Sequence, residues 1–409
     1  MAVRTAPVTR STARTTHLDQ IWRARHALWP ESGAVSQIPA LDGLRAVAAL
    51  LVLLFHAWSM VPNYVAHGQD PAVYPLWYAK TGVHLFFVLS GFLLFLPYAQ
   101  WLFGLRPRPA ALMFYKRRAL RVVPAYWASL VITVLIHGAL LYDVLLHIVF
   151  LSNTTWESTF SINGVYWTMA IEVQFYAVLP LVGWVMYRLS KSFGLVAGIV
   201  ATLLGLFAIS MASTYVTHIG GLNLVSMPVT SSFLVQYSAM PYWLAVFGSG
   251  IACSILFTYV TRVLKPSAPL VQRKGTLANV AFAAGIVLAV LLSIIPALQN
   301  IWMQQVFFGI AYAGVLLGVL FGSPILRRPL ESLAVRFVGL ISYSFYIWHH
   351  AVLVVLAPRI HGWAFQNHTI VLFLLGLICT LPIAYVSYLC FERPFMKARK
   401  KSHEKLAQA

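Results

Sequence analysis

Acidic side chains are scarce in this sequence: ten Asp and Glu in 409 residues against 29 Lys and Arg, with charged residues of both signs only 10% of the chain. A water-soluble protein of this length cannot cover its surface with so few charges, so the lipid bilayer is implied as its solvent. Cysteine is scarcer still. Cys253, Cys379 and Cys390 all lie inside apolar runs, with no Cys-x-x-Cys spacing. That excludes a disulfide framework and a thiolate metal site, leaving them as small packing residues. An internal repeat is also missing, which argues against a transporter built from related halves.

What is present is apolar: 60% of residues are hydrophobic and the mean hydropathy is +0.78. Runs long enough to cross a bilayer (roughly 20 residues) fall near 40–60, 80–103, 119–141, 166–187, 193–213, 237–261, 277–296, 302–322, 333–357 and 369–391. The stretch DVLLHIVFLSN (143–153) is too short to cross alone. Charge decides how to count it. If it does not span, the basic segments 106–118, 188–191, 262–274, 326–336 and 397–405 and the N-terminal tail all fall on one side. The expected fold is therefore all-α and polytopic, with about ten transmembrane helices and one re-entrant or interfacial helix. A net charge of +19 would suggest nucleic acid for a soluble protein; in loops and tails it is the positive-inside bias, and no nucleic-acid partner is implied. The expected organisation is a disordered basic cytosolic tail at 1–38, a membrane domain at 39–392 and a second basic cytosolic tail at 393–409, in a multi-pass cell-membrane protein.

A few polar residues stand where the bilayer makes them costly. In LDGLRAVAALLVLLFHAWSM (41–60), Arg45 and His56 are eleven residues apart, so they share one helical stripe and lie roughly 16 Å apart along the axis. Asp42 sits three residues before Arg45 and can pair with it. Glu172 lies about two turns into an apolar run, and a carboxylate there is a functional candidate by default. The topology puts Glu172 and His56 at similar depth in the outer half. Their pairing would orient the imidazole as a general base. In FYKRRALRVVPAYW (114–127), Lys116, Arg117, Arg118 and Arg121 form a basic cluster at the cytosolic start of a span, suited to phosphates or to anionic headgroups. GLISYSFYIWHH (339–350) supplies Ser342, Tyr343 and His349. His349 and His350 point about 100° apart on a helix, so they are no natural metal pair, and no metal is expected. Ser90 and Gly91 are small residues that permit close approach within a span, and Tyr176 follows Glu172 by one turn as structural support. These groups suit a phosphate-bearing donor with a hydroxyl acceptor. They suit a proton-coupled transporter of a lipid-linked sugar or small molecule almost as well.

The segments LDGLRAVAALLVLLFH, GVHLFFVLSGFLL, KRRALRVVPAYW, YWTMAIEVQFYAVLP, ISYSFYIWHH and FERP occur in this order across nearly the whole span region. Together they closely resemble acyltransferase family 3, the integral membrane O-acyltransferases. The family's Arg, ten residues, His pattern falls on Arg45 and His56, its Arg-x-x-Arg on Arg118 and Arg121, and its Trp-to-Glu element on Trp167 and Glu172. Leu89 stands where many members have glycine or valine, a departure touching packing more than chemistry. The resemblance implies transfer of an acyl group, acetyl first, from cytosolic acyl-CoA as co-substrate, with no permanently bound cofactor. The acceptor would be a hydroxyl of a carbohydrate: a cell-envelope glycan, a lipid-linked sugar or a glycosylated metabolite. It implies His56 and Glu172 as catalytic, Arg45, Arg117, Arg118 and Arg121 as donor-binding, and Trp167, Ser342, Tyr343 and His349 on the acceptor side. Many members carry a C-terminal SGNH hydrolase-like domain. Fifteen residues follow Pro394 here, so the stand-alone form is expected, acting alone or with a separate periplasmic or extracellular partner.

Overall fold

In lipid every backbone N–H and C=O must be bonded within the chain, so each long apolar run is driven into a helix. The computed structural model describes residues 38–60, 74–218, 239–295, 298, 303–360 and 365–396; of the expected tails at 1–38 and 393–409, residues 1–37 and 397–409 lie outside them. Among the described residues there is no strand. Among them nine helices are long and apolar enough to cross a membrane: α1 (Pro39–Ser59), α2 (Pro75–Leu102), α3 (Ala111–His137), α5 (Tyr166–Phe193), α6 (Leu195–Tyr215), α7 (Met240–Val263), α8 (Pro269–Ile294), α9 (Gln304–Phe321) and α12 (His368–Met396). The short α4 (Leu141–Ile148) lies between α3 and α5. The protein is an all-α, multi-pass membrane protein.

The run at 333–357, read from sequence as one span, is broken. It forms α10 (Leu333–Leu340) and α11 (Ser342–Ile360), bent by 78° at Ile341. Packing explains the break. A Cβ added to Gly339 would stand 1.8 Å from the Asp42 carbonyl oxygen, so α10 presses backbone to backbone on the start of α1. The same device joins α2 to α7: Gly91 meets the Phe247 carbonyl and Gly250 meets the Val88 carbonyl, each at a distance no side chain tolerates.

Helix α4 carries its polarity inward. Asp143 and His147 are buried, while Leu141, Leu145, Ile148 and Val149 are exposed. Ser158 Oγ donates to Asp143 Oδ1 at 2.5 Å, and His147 Nδ1 lies 2.8 Å from the Asp143 carbonyl oxygen. An apolar outer face over a hydrogen-bonded polar inner face is the pattern of an element against lipid. Eight residues rise only about 12 Å, too little to cross. Burial pushes the His147 imidazole below its ordinary pKa.

The core is a ring of inner helices. α1, α2, α7 and α9 are the most enclosed, whereas α3, α6, α8 and α12 show much of their surface outward. Of these enclosed helices, α1 and α2 line the site.

Candidate active site

Five helices bring polar side chains to one cavity of about 140 Å³. α1 contributes Asp42 and Arg45, α2 Ser90, α3 Arg118 and Arg121, α5 Thr168, Glu172 and Tyr176, and α11 Ser342, Tyr343 and Tyr346. On α1, α3 and α5 the spacing is three or four, so each set forms one inward stripe, while on α11 Tyr346 follows Ser342 by four and Tyr343 by three. The apolar wall comes largely from α2, including Phe86, Phe87, Leu93 and Leu94.

Glu172 is held by two donors on one oxygen. Tyr176 OH donates to Oε1 at 2.5 Å and Ser90 Oγ donates to the same atom at 3.1 Å. Above it, Thr168 Oγ1 donates to Tyr346 OH at 2.9 Å, and below it Tyr343 OH donates to the Val122 carbonyl at 2.7 Å. These bonds tie α2, α3, α5 and α11 to one another around the cavity.

The arginines are not neutralised by contact. Arg45 lies within electrostatic range of Asp42, Glu172 and Glu392. Yet among the described residues none of Arg45, Arg118 and Arg121 forms an ion pair with those acids. Arg118 Nε is buried with no hydrogen-bond partner, and Arg121 Nη1 reaches only the sulfur of Met396, at 3.6 Å. One oxygen of the buried Asp42, Oδ2, is also without a partner. Three guanidinium groups lining one cavity, none in an ion pair with an acid, suit a multiply anionic group.

The structure thus gathers Asp42, Arg45, Ser90, Arg118, Arg121, Glu172, Tyr176, Ser342 and Tyr343 at the cavity. It separates the others. Gly91 serves the α2–α7 contact, Arg117 is half-buried beside the cluster, and Trp167 packs on Trp243 with ring centroids 6.0 Å apart. The expected pairing of His56 with Glu172 does not form. The His56 ring lies among Phe55, His349 and His350, at centroid distances of 5.1, 5.3 and 5.0 Å. The carboxylate faces the arginines instead, because α1 and α5 present those two side chains to different neighbours. Asp42 and Arg45 share a face as expected but make no ion pair.

Sequence reasoning missed Glu392 as a member of this region. It is fully buried, accepts a 2.5 Å hydrogen bond from Ser344 Oγ and lies in range of Arg121. The available signal was an acid at the end of an apolar run, in the FERP segment. Tyr346 and Thr168 were also missed as wall residues, since neither is out of place in a membrane helix.

The pattern describing an acyltransferase domain matches residues 38–389, which contain every one of these groups except Glu392. The chain belongs to acyltransferase family 3. It is an enzyme that transfers acyl groups. The peptidoglycan O-acetyltransferase OatA of Listeria monocytogenes is 24% identical over 88% of this chain and 56% of its own length. The O-acetyltransferase OatA of Staphylococcus aureus is 24% identical over 88% of this chain and 57% of its own. ORF330 of Acidianus two-tailed virus is 26% identical over 76% of this chain and 82% of its own. The chain thus spans little more than half of the two bacterial relatives. No solved structure matches it.

Proposed function

We propose that this enzyme moves an acetyl or other short acyl group from acyl-CoA to a hydroxyl of a carbohydrate acceptor. The observation that carries the donor is the arginine trio, which lines one cavity without an ion pair to the Asp42 or Glu172 in the same wall, and of which Arg118 Nε has no hydrogen-bond partner. Arg118 and Arg121, with Arg45 behind them, hold the phosphates of CoA, and the pantetheine arm runs along the α2 wall. On this reading the basic end is cytosolic. The acceptor class is carried by likeness to O-acetyltransferases named for peptidoglycan, and a hydroxyl acceptor needs a base. His56 is that base. It is not among the residues lining the cavity and lies on α1 beside His349 and His350, which follow Tyr346 by one turn on α11.

Glu172 takes a different part from the one its sequence position suggests. Its Oε1 is filled by Tyr176 and Ser90, and it faces the donor cavity, so it serves donor placement. Its Oε2 can receive an amide N–H of the pantetheine arm.

The test uses purified protein in proteoliposomes with labelled acetyl-CoA, following release of CoA thiol and the position of the label. Wild type releases thiol, and Arg118→Ala with Arg121→Ala does so only at much higher donor concentration. His56→Ala does not release it at any. Absence of release by wild type in the presence of an envelope extract would remove the reading.

A further inference from the structure

With Glu172 committed elsewhere, His56 still needs a group to fix its tautomer and stabilise its protonated form. We propose that His349 is that positioning residue, accepting the His56 N–H on its own Nε2. The inference rests on the reading of His56 as the base.

Three observations converge on it. The His349 side chain is completely buried, and its Nδ1 lies 2.6 Å from the Tyr346 carbonyl oxygen. A carbonyl only accepts, so Nδ1 carries the hydrogen and Nε2 carries the lone pair. That Nε2 is buried and has no partner. A buried acceptor without a donor is costly, and it points to a donor that arrives. His56 is placed to be that donor: the ring centroids are 5.3 Å apart at 47°. Two imidazoles joined by an N–H···N bond of about 3 Å, plus two ring radii, have centroids about 5 Å apart. The separation is already correct, and rotation of the His56 ring completes the bond.

The competing neighbour fits less well. His350 meets the His56 ring edge to face, at 83°, and its own ring packs against the backbone of Gly164. His349 is held on a second side as well, stacked at 8° on Phe345. Its ring is thereby fixed by one hydrogen bond and one stacking contact, which is what an orienting group requires.

In the reaction the acceptor hydroxyl gives its proton to the free nitrogen of His56 as its oxygen bonds to the thioester carbonyl carbon. The resulting imidazolium donates its other N–H to His349 Nε2. When the C–S bond breaks, the electron pair leaves with sulfur, and His56 returns the proton to form the CoA thiol. His349 itself exchanges no proton. The chain of His56, His349 and the Tyr346 carbonyl strengthens as charge appears on its first member.

Two substitutions separate this role from packing. His349→Phe keeps a ring in an apolar site and removes the acceptor; His349→Gln keeps an acceptor oxygen near the position of Nε2 and packs less well. We expect His349→Phe to lose roughly 10–100-fold in kcat at unchanged KM for acetyl-CoA, and His349→Gln to recover most of it. If His349 only packs, the order reverses, and Phe equal to or better than Gln overturns the proposal. His349→Leu replaces the Phe variant should that not survive purification. A second readout needs no acyl donor: the rate at which diethyl pyrocarbonate modifies His56, followed by mass spectrometry. Slower modification in the Phe variant than in wild type or Gln supports the pair, and equal rates overturn it. Thiol release absent from wild type would instead defeat the acyl-CoA reading, with the modification rates still deciding the pair.

Discussion

Arg118 holds a buried Nε with nothing to bond, and on the proposed donor reading that group costs stability until a donor phosphate fills it. Arg118→Gln should therefore raise KM for acetyl-CoA roughly 10–100-fold, the loss of about 1.5–3 kcal/mol in a charge-assisted hydrogen bond, with kcat little changed. The same variant should unfold in detergent at an equal or higher temperature when no donor is present. For Glu172→Gln the same split is expected, KM raised and kcat held, because its hydrogen bonds tie it to the arginine-lined cavity and not to His56. A fall in kcat alone, in steady-state thiol release, would return Glu172 to the base. Glu172 could be singled out from sequence because an acid in an apolar run is conspicuous. Its partners could not. Helical period fixes which residues share a stripe, but not which neighbouring helix the stripe meets.

At the scale of the element, the break at Ile341 and the short α4 depend on contacts that single residues control. Gly339→Ala should cost about 1–3 kcal/mol, because its Cβ would overlap the Asp42 carbonyl and push α10 off the start of α1. Gly205→Ala is the control. It is helical with open space around its added Cβ, so it should be neutral or slightly stabilising in the same thermal unfolding measurement. In α4 the buried His147 has a depressed pKa, so the folded state holds the neutral ring while the unfolded chain binds a proton near pH 6.5. Its contribution to stability is present above about pH 6.5 and is lost as pH falls below that value. His147→Asn should therefore flatten the decline in melting temperature between about pH 6.5 and 5. The non-spanning nature of α4 was legible from length and loop charge together. The bend in the 333–357 run was not, because no break in helical pattern marks Ile341, and it is the packing of α10 on α1, closest at Gly339 and Asp42, that lies beside the bend.

For the whole molecule the arrangement makes a topological prediction. Arg108, in the loop between α2 and α3, and Ser161, between α4 and α5, are both exposed and lie at opposite ends of α3. In a background lacking Cys253, Cys379 and Cys390, Arg108→Cys and Ser161→Cys should react with an impermeant thiol reagent from opposite sides of sealed vesicles. Reaction from one side would mean that α3 and α4 cross together. The apolar runs by themselves determined that this chain lives in a bilayer as a bundle of helices, since a backbone in lipid has almost no other solution. The motif order determined the family, and the spacing of Arg118 with Arg121 and of Asp42 with Arg45 determined shared faces. Only the tertiary structure decided which faces meet. It set Glu172 against Ser90 and Tyr176 and gave His56 the company of His349 and His350, because close backbone packing at Gly91, Gly250 and Gly339 fixes how the helices cross, and those contacts join residues far apart in the chain.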